Sequence, residues 1–175
     1  VARAPHLLDL NDGSFVIRAH KTLNLHPLRS VNDPINLGRI FISNTSSLFA
    51  PGNVGLDGAS IISAVNDVDL ILKLTESQRV QAVFWSNTLG GGGTLSPGDG
   101  SPLVLNLLSG ALQDTAMNYN NESFGLLVAT TPDTRVPAVL SATLDLNDGS
   151  LRLTANETLD ATPAVPPVVD LSRLV

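Results

Sequence analysis

The chain has 175 residues, 43% of them apolar and 15% charged, with a formal net charge of −6. That composition supports one packed domain, or one domain and part of another, and argues against bulk disorder. An acidic surface repels phosphate backbones, which disfavours nucleic acid as a partner. The lack of cysteine removes disulfide scaffolds, thiolate zinc sites and cysteine nucleophiles.

The first predicted element is a hairpin. Asn11-Asp12-Gly13 has the chemistry of a tight turn, with glycine in the left-handed position, and the residues after it alternate. Phe15, Ile17 and Ala19 form one face, expected to point at a core, and Val16, Arg18 and His20 form the other. Short apolar runs predict further strands at 37–43, 59–65, 68–74, 102–108 and 124–130. Leu70, Leu72 and Leu74 share a face, as do Leu103, Leu105 and Leu107. One short helix is expected over 76–85, with Thr75 as cap and Gln78 placed three residues on as in a capping box. Phe84 and Trp85 are expected as core at the junction of that helix with the sheet. Gly90–Gly93 and the Ser-Pro-Gly-Asp-Gly run at 96–100 form a long connection. The polar, proline-flanked stretch 131–137 reads as a short stiff linker.

After the linker the chain repeats itself. Residues 8–27 and 144–163 are identical at 11 of 20 positions, including the whole run Leu-Asp-Leu-Asn-Asp-Gly-Ser. Chance would give about one or two matches, so this is a duplication. In the second copy Leu151, Leu153 and Ala155 keep the apolar face. After a slip of two residues, 35–40 lies against 169–174. The expected organisation is one complete unit at 1–133 and the first strands of a following repeat at 134–175. Those strands need another segment to complete their core. A chain opening on Val1 without a signal-type segment reads as a mature or excised piece.

The run LDLNDGSLRLTANETLDA at 144–161 resembles the opening of bacterial-type Ig-like repeats, roughly D-L-N-x-G-x-L-x-L-x-F-S-E-x-V-D. VDLILKLTESQRVQAV at 68–83 resembles that family's central strand and short helix. SGALQDTAMNYN at 109–120 resembles its closing G-x-x-D-x-x-G-N motif, with Met117 where the family usually has glycine. Such repeats occur in giant extracellular surface proteins of the S-layer and swimming-motility type, and in algal and protist surface or flagellar-hair proteins. The resemblance implies an all-β, Ig-like β-sandwich repeat with one short helix. It also implies a structural, non-enzymatic role as spacer or assembly unit of an extracellular filament, stalk or mastigoneme-like fibre. The partners would be neighbouring copies of the same protein. The alternative is an adhesin-like module that recognises glycan or protein through the long segments 44–58 and 88–101.

The candidate chemistry is sparse. Asp9, Asn11 and Asp12, copied as Asp145, Asn147 and Asp148, resemble the start of an oxygen-ligand calcium loop, but the same residues make a hairpin turn, which is the favoured reading. No acidic residue stands at the twelfth position of such a loop. His6, His20 and His26 are expected on the surface or at an interface rather than around a metal, since their counterparts are Ala142, Asn156 and Thr162. Asp114 and Glu122 could be drawn as a carboxylate pair, but nothing in the sequence fixes their separation. No nucleophile elbow, P-loop or dinucleotide fingerprint is present. Asn44, Asn121 and Asn156 begin N-glycosylation sequons, and their placement at a strand end, in a loop and on a solvated face suits attachment if the protein is secreted by a eukaryote. No apolar run reaches the roughly 18 residues of a membrane-crossing helix.

Overall fold

A computed structural model describes residues 5–25, 34–47, 53–63, 65–86 and 101–159. The chain divides into two compact units, Val1–Arg135 and Val136–Val175.

The described part of the first unit is mostly β. Its strands are β1 (His6–Asp9), β2 (Ser14–Arg18), β3 (Ile40–Ser43), β4 (Val54–Gly55), β5 (Ser60–Ile61), β6 (Asp69–Lys73), β7 (Val104–Leu107) and β8 (Ser123–Thr131), with one helix, α1 (Glu76–Trp85). They hydrogen-bond in the order β4-β3-β7-β8-β1-β2-β6-β5. β8 joins the two halves. Its first part runs antiparallel to β7, pairing Leu126 with Leu105, and its last part runs parallel to β1, pairing Val128–Thr131 with His6–Asp9. A strand that changes partners midway lets a sheet turn a corner. The change comes after a bulge at Gly125, whose φ of 69° favours glycine. There the Gly125 N–H donates to Oδ1 of the buried Asn106 at 2.8 Å. The curled, mixed sheet closes on one apolar cluster that takes Leu8, Phe15, Ile17, Leu70 and Leu72 from one half and Ile40, Ile42, Leu105 and Leu107 from the other.

Helix α1 starts where the capping box predicts. Thr75 Oγ1 accepts from the Gln78 N–H at 3.2 Å, and Gln78 Oε1 accepts from the Thr75 N–H at 2.9 Å. Its buried residues are Gln78, Arg79 and Ala82, so the inner face is largely polar. Phe84 is 42% exposed and stands edge-on to the half-buried Trp85, so only Trp85 packs against the core.

Several sequence expectations shift at their ends. The strand expected at 37–43 begins with a 3-10 turn at Leu37–Arg39. The strand expected at 59–65 shortens to two residues, whose ladder partners are Lys73 and Leu72. β4 lies inside the segment read as the insertion 44–58, and it extends the sheet beside β3.

In the second unit, β9 (Val139–Asp145) and β10 (Ser150–Ala155) form a two-stranded antiparallel sheet. Phe15 pairs with Leu8 in the first hairpin, and Leu151 pairs with Leu144 in the second, the same register 136 residues on. The apolar face expected to point at a core in both copies does so only in the first. Phe15 is 0% exposed, whereas Leu151 is 52% exposed. The segment 169–174, aligned above with 35–40, lies outside the described residues.

Candidate functional site

The turn of each hairpin is built by its own side chains. Asp9 Oδ1 accepts from the Asn11 N–H and from Asn11 Nδ2, both at 2.9 Å, and Asp12 Oδ1 accepts from the Ser14 N–H at 2.8 Å. In the second copy Asp145 Oδ1 accepts from the Asn147 N–H at 2.8 Å and from its Nδ2 at 3.0 Å, and Asp148 Oδ1 accepts from the Ser150 N–H at 2.8 Å. Gly13 and Gly149 both sit at φ 76°. The oxygens weighed above as calcium ligands are therefore acceptors of turn hydrogen bonds. A cation already stands beside the first turn, with Lys73 Nζ 3.2 Å from Asp12 Oδ2. Among the described residues no group of three or more His, Cys, Asp or Glu side chains is placed to hold a metal ion.

Two carboxyls at these turns are shifted. Burial, the largest influence on Asp12, pushes its carboxyl up, but the hydrogen bonds from Ser14 together with Lys73 outweigh it and hold the group below the usual carboxylate range. The Asp148 carboxyl is also depressed, first by the Ser150 hydroxyl and then by the Ser150 N–H.

What distinguishes the first turn is the segment it grips. Where β8 ends, the Leu10 N–H donates to Thr131 O at 3.0 Å. Asn11 then acts as a side-chain strand: its Nδ2 donates to Pro132 O at 3.0 Å, and its Oδ1 accepts from the Thr134 N–H at 3.0 Å. Beneath them lies Arg79, with a side chain only 6% exposed. It forks onto both carboxylate oxygens of Glu76 at 2.8 Å, donates to Leu10 O at 2.8 Å and pairs with Asp133. One guanidinium thus ties helix, turn and strand exit together, and its neighbouring carboxylates, Glu76 foremost, raise its pKa further. Sequence reasoning missed Arg79. Its partner Asp133 is 54 residues away, and no local pattern links them.

The remaining candidates are scattered. His6 is buried in β1, where its Nδ1 accepts from the Arg18 N–H at 3.1 Å, a correction to the surface position expected for it. His20 is exposed, and His26 lies outside the described residues. The Asp114 carboxylate is engaged by its own turn, accepting from the N–H groups of Ala116 at 2.9 Å and Asn118 at 2.8 Å. These bonds, those from Asn118 foremost, depress its pKa. Inside that turn Met117 has φ 68°, the one non-glycine residue in the left-handed region among the described residues. Of the sequon asparagines, Asn121 is exposed and Asn44 half-buried, while the Asn156 amide oxygen accepts from the Ala138 N–H at 2.7 Å. Most of 88–101 lies outside the described residues.

No family model, no curated protein and no solved structure matches the chain.

Proposed function

We propose that this chain is a structural repeat segment of an extracellular surface or filament glycoprotein, working as spacer and assembly unit in a stalk, an S-layer or a mastigoneme-like fibre. On this reading the two halves of the curled sheet are the leaves of an Ig-like sandwich. The carrying observation is the pair of hairpins that repeat one register, one turn and one set of turn hydrogen bonds 136 residues apart. A duplicated module of this kind is the unit from which arrays are made.

The mechanism is mechanical. The first unit seals its strand exit with Asn11 and Arg79, which hold the end of β8 against fraying. Asn147 repeats Asn11, and the second hairpin presents the same acceptor for a strand exit of the same chemistry. The fold supports a non-enzymatic role through how its polar side chains are used: those brought together at the turns are hydrogen-bonded to backbone and to each other. The adhesin-like alternative draws less support, because the 44–58 segment contributes β4 to the sheet. Imaging of the protein from its native source tests the proposal. A filament, stalk or lattice with a regular repeat is expected, whereas dispersed single particles without periodicity would contradict it.

A further inference from the structure

In β1, β2 and β6 the residues that face the core are Leu8, Phe15, Ile17, Leu70 and Leu72, and the alternate residues point the other way. Those outward residues form an apolar row across the strands. Leu7 pairs with Ala129 on one side and with Val16 on the other, and Val16 pairs with Ile71. Beyond β6 the Ile62 N–H donates to Ile71 O at 2.8 Å, which adds one more apolar residue at that end. Leu7 is 38% exposed, Ile71 39% and Ile62 57%. A contiguous apolar row rimmed by polar residues marks an interaction surface.

The duplication shows that the hairpin does not require this row. The positions 136 residues on keep the inward pair, Leu8 and Phe15, as Leu144 and Leu151. The outward pair, Leu7 and Val16, becomes Thr143 and Arg152. The second hairpin forms with those residues in the same register. Apolar side chains on the outward face of the first copy therefore call for a reason other than the hairpin itself.

Polar rows border the apolar one on both sides. One holds Arg18 and Asp69, 3.9 Å apart. The other holds Asp9, Ser14 and Lys73, with Asp12 Oδ2 3.2 Å from Lys73 Nζ. Both cations are thus paired within the face. Two cations stand against three carboxylates, which leaves these strands and their turn within one charge of neutrality in a chain of net charge −6. A second molecule of the chain meets less repulsion here than over the rest of an acidic surface.

We propose that this face pairs with the same face of a second molecule of the chain, about a two-fold axis running along the apolar row. Each strand then lies antiparallel over its own counterpart, as in two sheets packed face to face. Leu7, Val16 and Ile71 each meet themselves. Asp69, two residues before Ile71, meets the partner's Lys73, two residues after it, and Lys73 meets the partner's Asp69. Arg18 meets the row that holds the partner's Ser14 and Asp9. No unpaired charge is needed, because the Arg18–Asp69 pair of one molecule joins the Lys73–Asp12 pair of the other in a single network of alternating sign. The other face-to-face two-fold, along β2, sets Arg18 on Arg18 and is disfavoured by like charge. This surface sharpens the assembly role proposed above by naming where chains meet, yet it does not rest on it. Imaging tests for a fibre, and sedimentation in dilute solution tests for this pairing.

Sedimentation equilibrium of the full chain, from about 5 to about 500 µM, should show a monomer–dimer equilibrium with a Kd of about 10 to 100 µM, the weak range of a small patch. Leu7→Thr with Val16→Arg installs the residues of the second hairpin. This variant should keep the fold by circular dichroism and weaken the dimer roughly tenfold or more, since the new arginine meets its own counterpart. Asp69→Lys should also weaken it roughly tenfold or more, because the like-charge contact occurs twice per dimer, and Asp69→Lys with Lys73→Asp should restore it. Leu144→Ser with Leu151→Ser, on the exposed face of the second hairpin, should leave it unchanged. A chain still monomeric at about 500 µM overturns the proposal. So does a dimer undiminished in the folded Leu7 and Val16 variant, one that the charge swap fails to restore, or one that the serines of the second hairpin abolish.

Discussion

The hairpin at 6–18 and the hairpin at 139–155 share a turn sequence, a register and a hydrogen-bonding pattern, yet Leu8 is 1% exposed and Leu144 is 55% exposed. The same holds for Leu10 at 0% and Leu146 at 85%. Local sequence thus makes the hairpin, and long-range partners decide whether it becomes core. In the first copy β6 adds to the outer edge of β2, β8 adds to β1, and the clasp of Asn11 and Arg79 holds the end of β8 in place. Among the described residues the second copy has none of these, and a two-stranded sheet without cover is marginal in water.

The largest expected break in this comparison comes from the central side chains. Phe15→Ala should cost about 3–5 kcal/mol in a denaturant melt of the first unit, while Leu151→Ala should stay within about 0.5 kcal/mol. Arg79→Ala comes next, at about 3 kcal/mol by the same melt, because it strands Glu76, Asp133 and the Leu10 carbonyl together. Arg79→Lys should recover only part of that, since an ammonium cannot fork.

Glycine sharpens the contrast at a single position. A Cβ at Gly13 would stand 3.2 Å from Leu74 Cβ, whereas one at Gly149 meets nothing within 4 Å. Both positions are left-handed, so Gly149→Ala should cost about 1 kcal/mol from backbone strain alone, read as loss of the second hairpin's NMR dispersion, and Gly13→Ala clearly more. Met117→Gly should do the reverse. It relieves a strained φ on a side chain 73% exposed and should raise stability by about 1 kcal/mol in a thermal melt.

The smallest effect is acid linkage. The folded Asp12 carboxyl titrates below its unfolded value of about 3.9. Its contribution to stability is therefore complete above that pH and is lost as pH falls through the lower folded value. Asp12→Asn should flatten that part of an acid titration. Asp148→Asn should leave the first unit's titration unchanged and act only on the second hairpin's amides.

Much of this was readable from local patterns. The capping box at Thr75 and Gln78 places α1 to the residue, and Asn-Asp-Gly places both hairpins, because those signals act over three or four positions. The leucines at 70, 72 and 74 are buried as their alternation requires. What escaped depends on distance. The two-residue β4 exists only as an addition to β3, and the strand expected at 59–65 keeps only the two residues that pair with β6. The buried role of Arg79 waits on Asp133. The apolar face of the second hairpin is exposed although its sequence is as apolar as that of the covered copy.

Native-state hydrogen exchange on the full chain tests most directly whether cover, not sequence, separates the copies. The amides of β1 and β2 should open only with the whole first unit and exchange roughly a thousandfold or more slower than those of β9 and β10. Equal protection of the two hairpins would contradict the account.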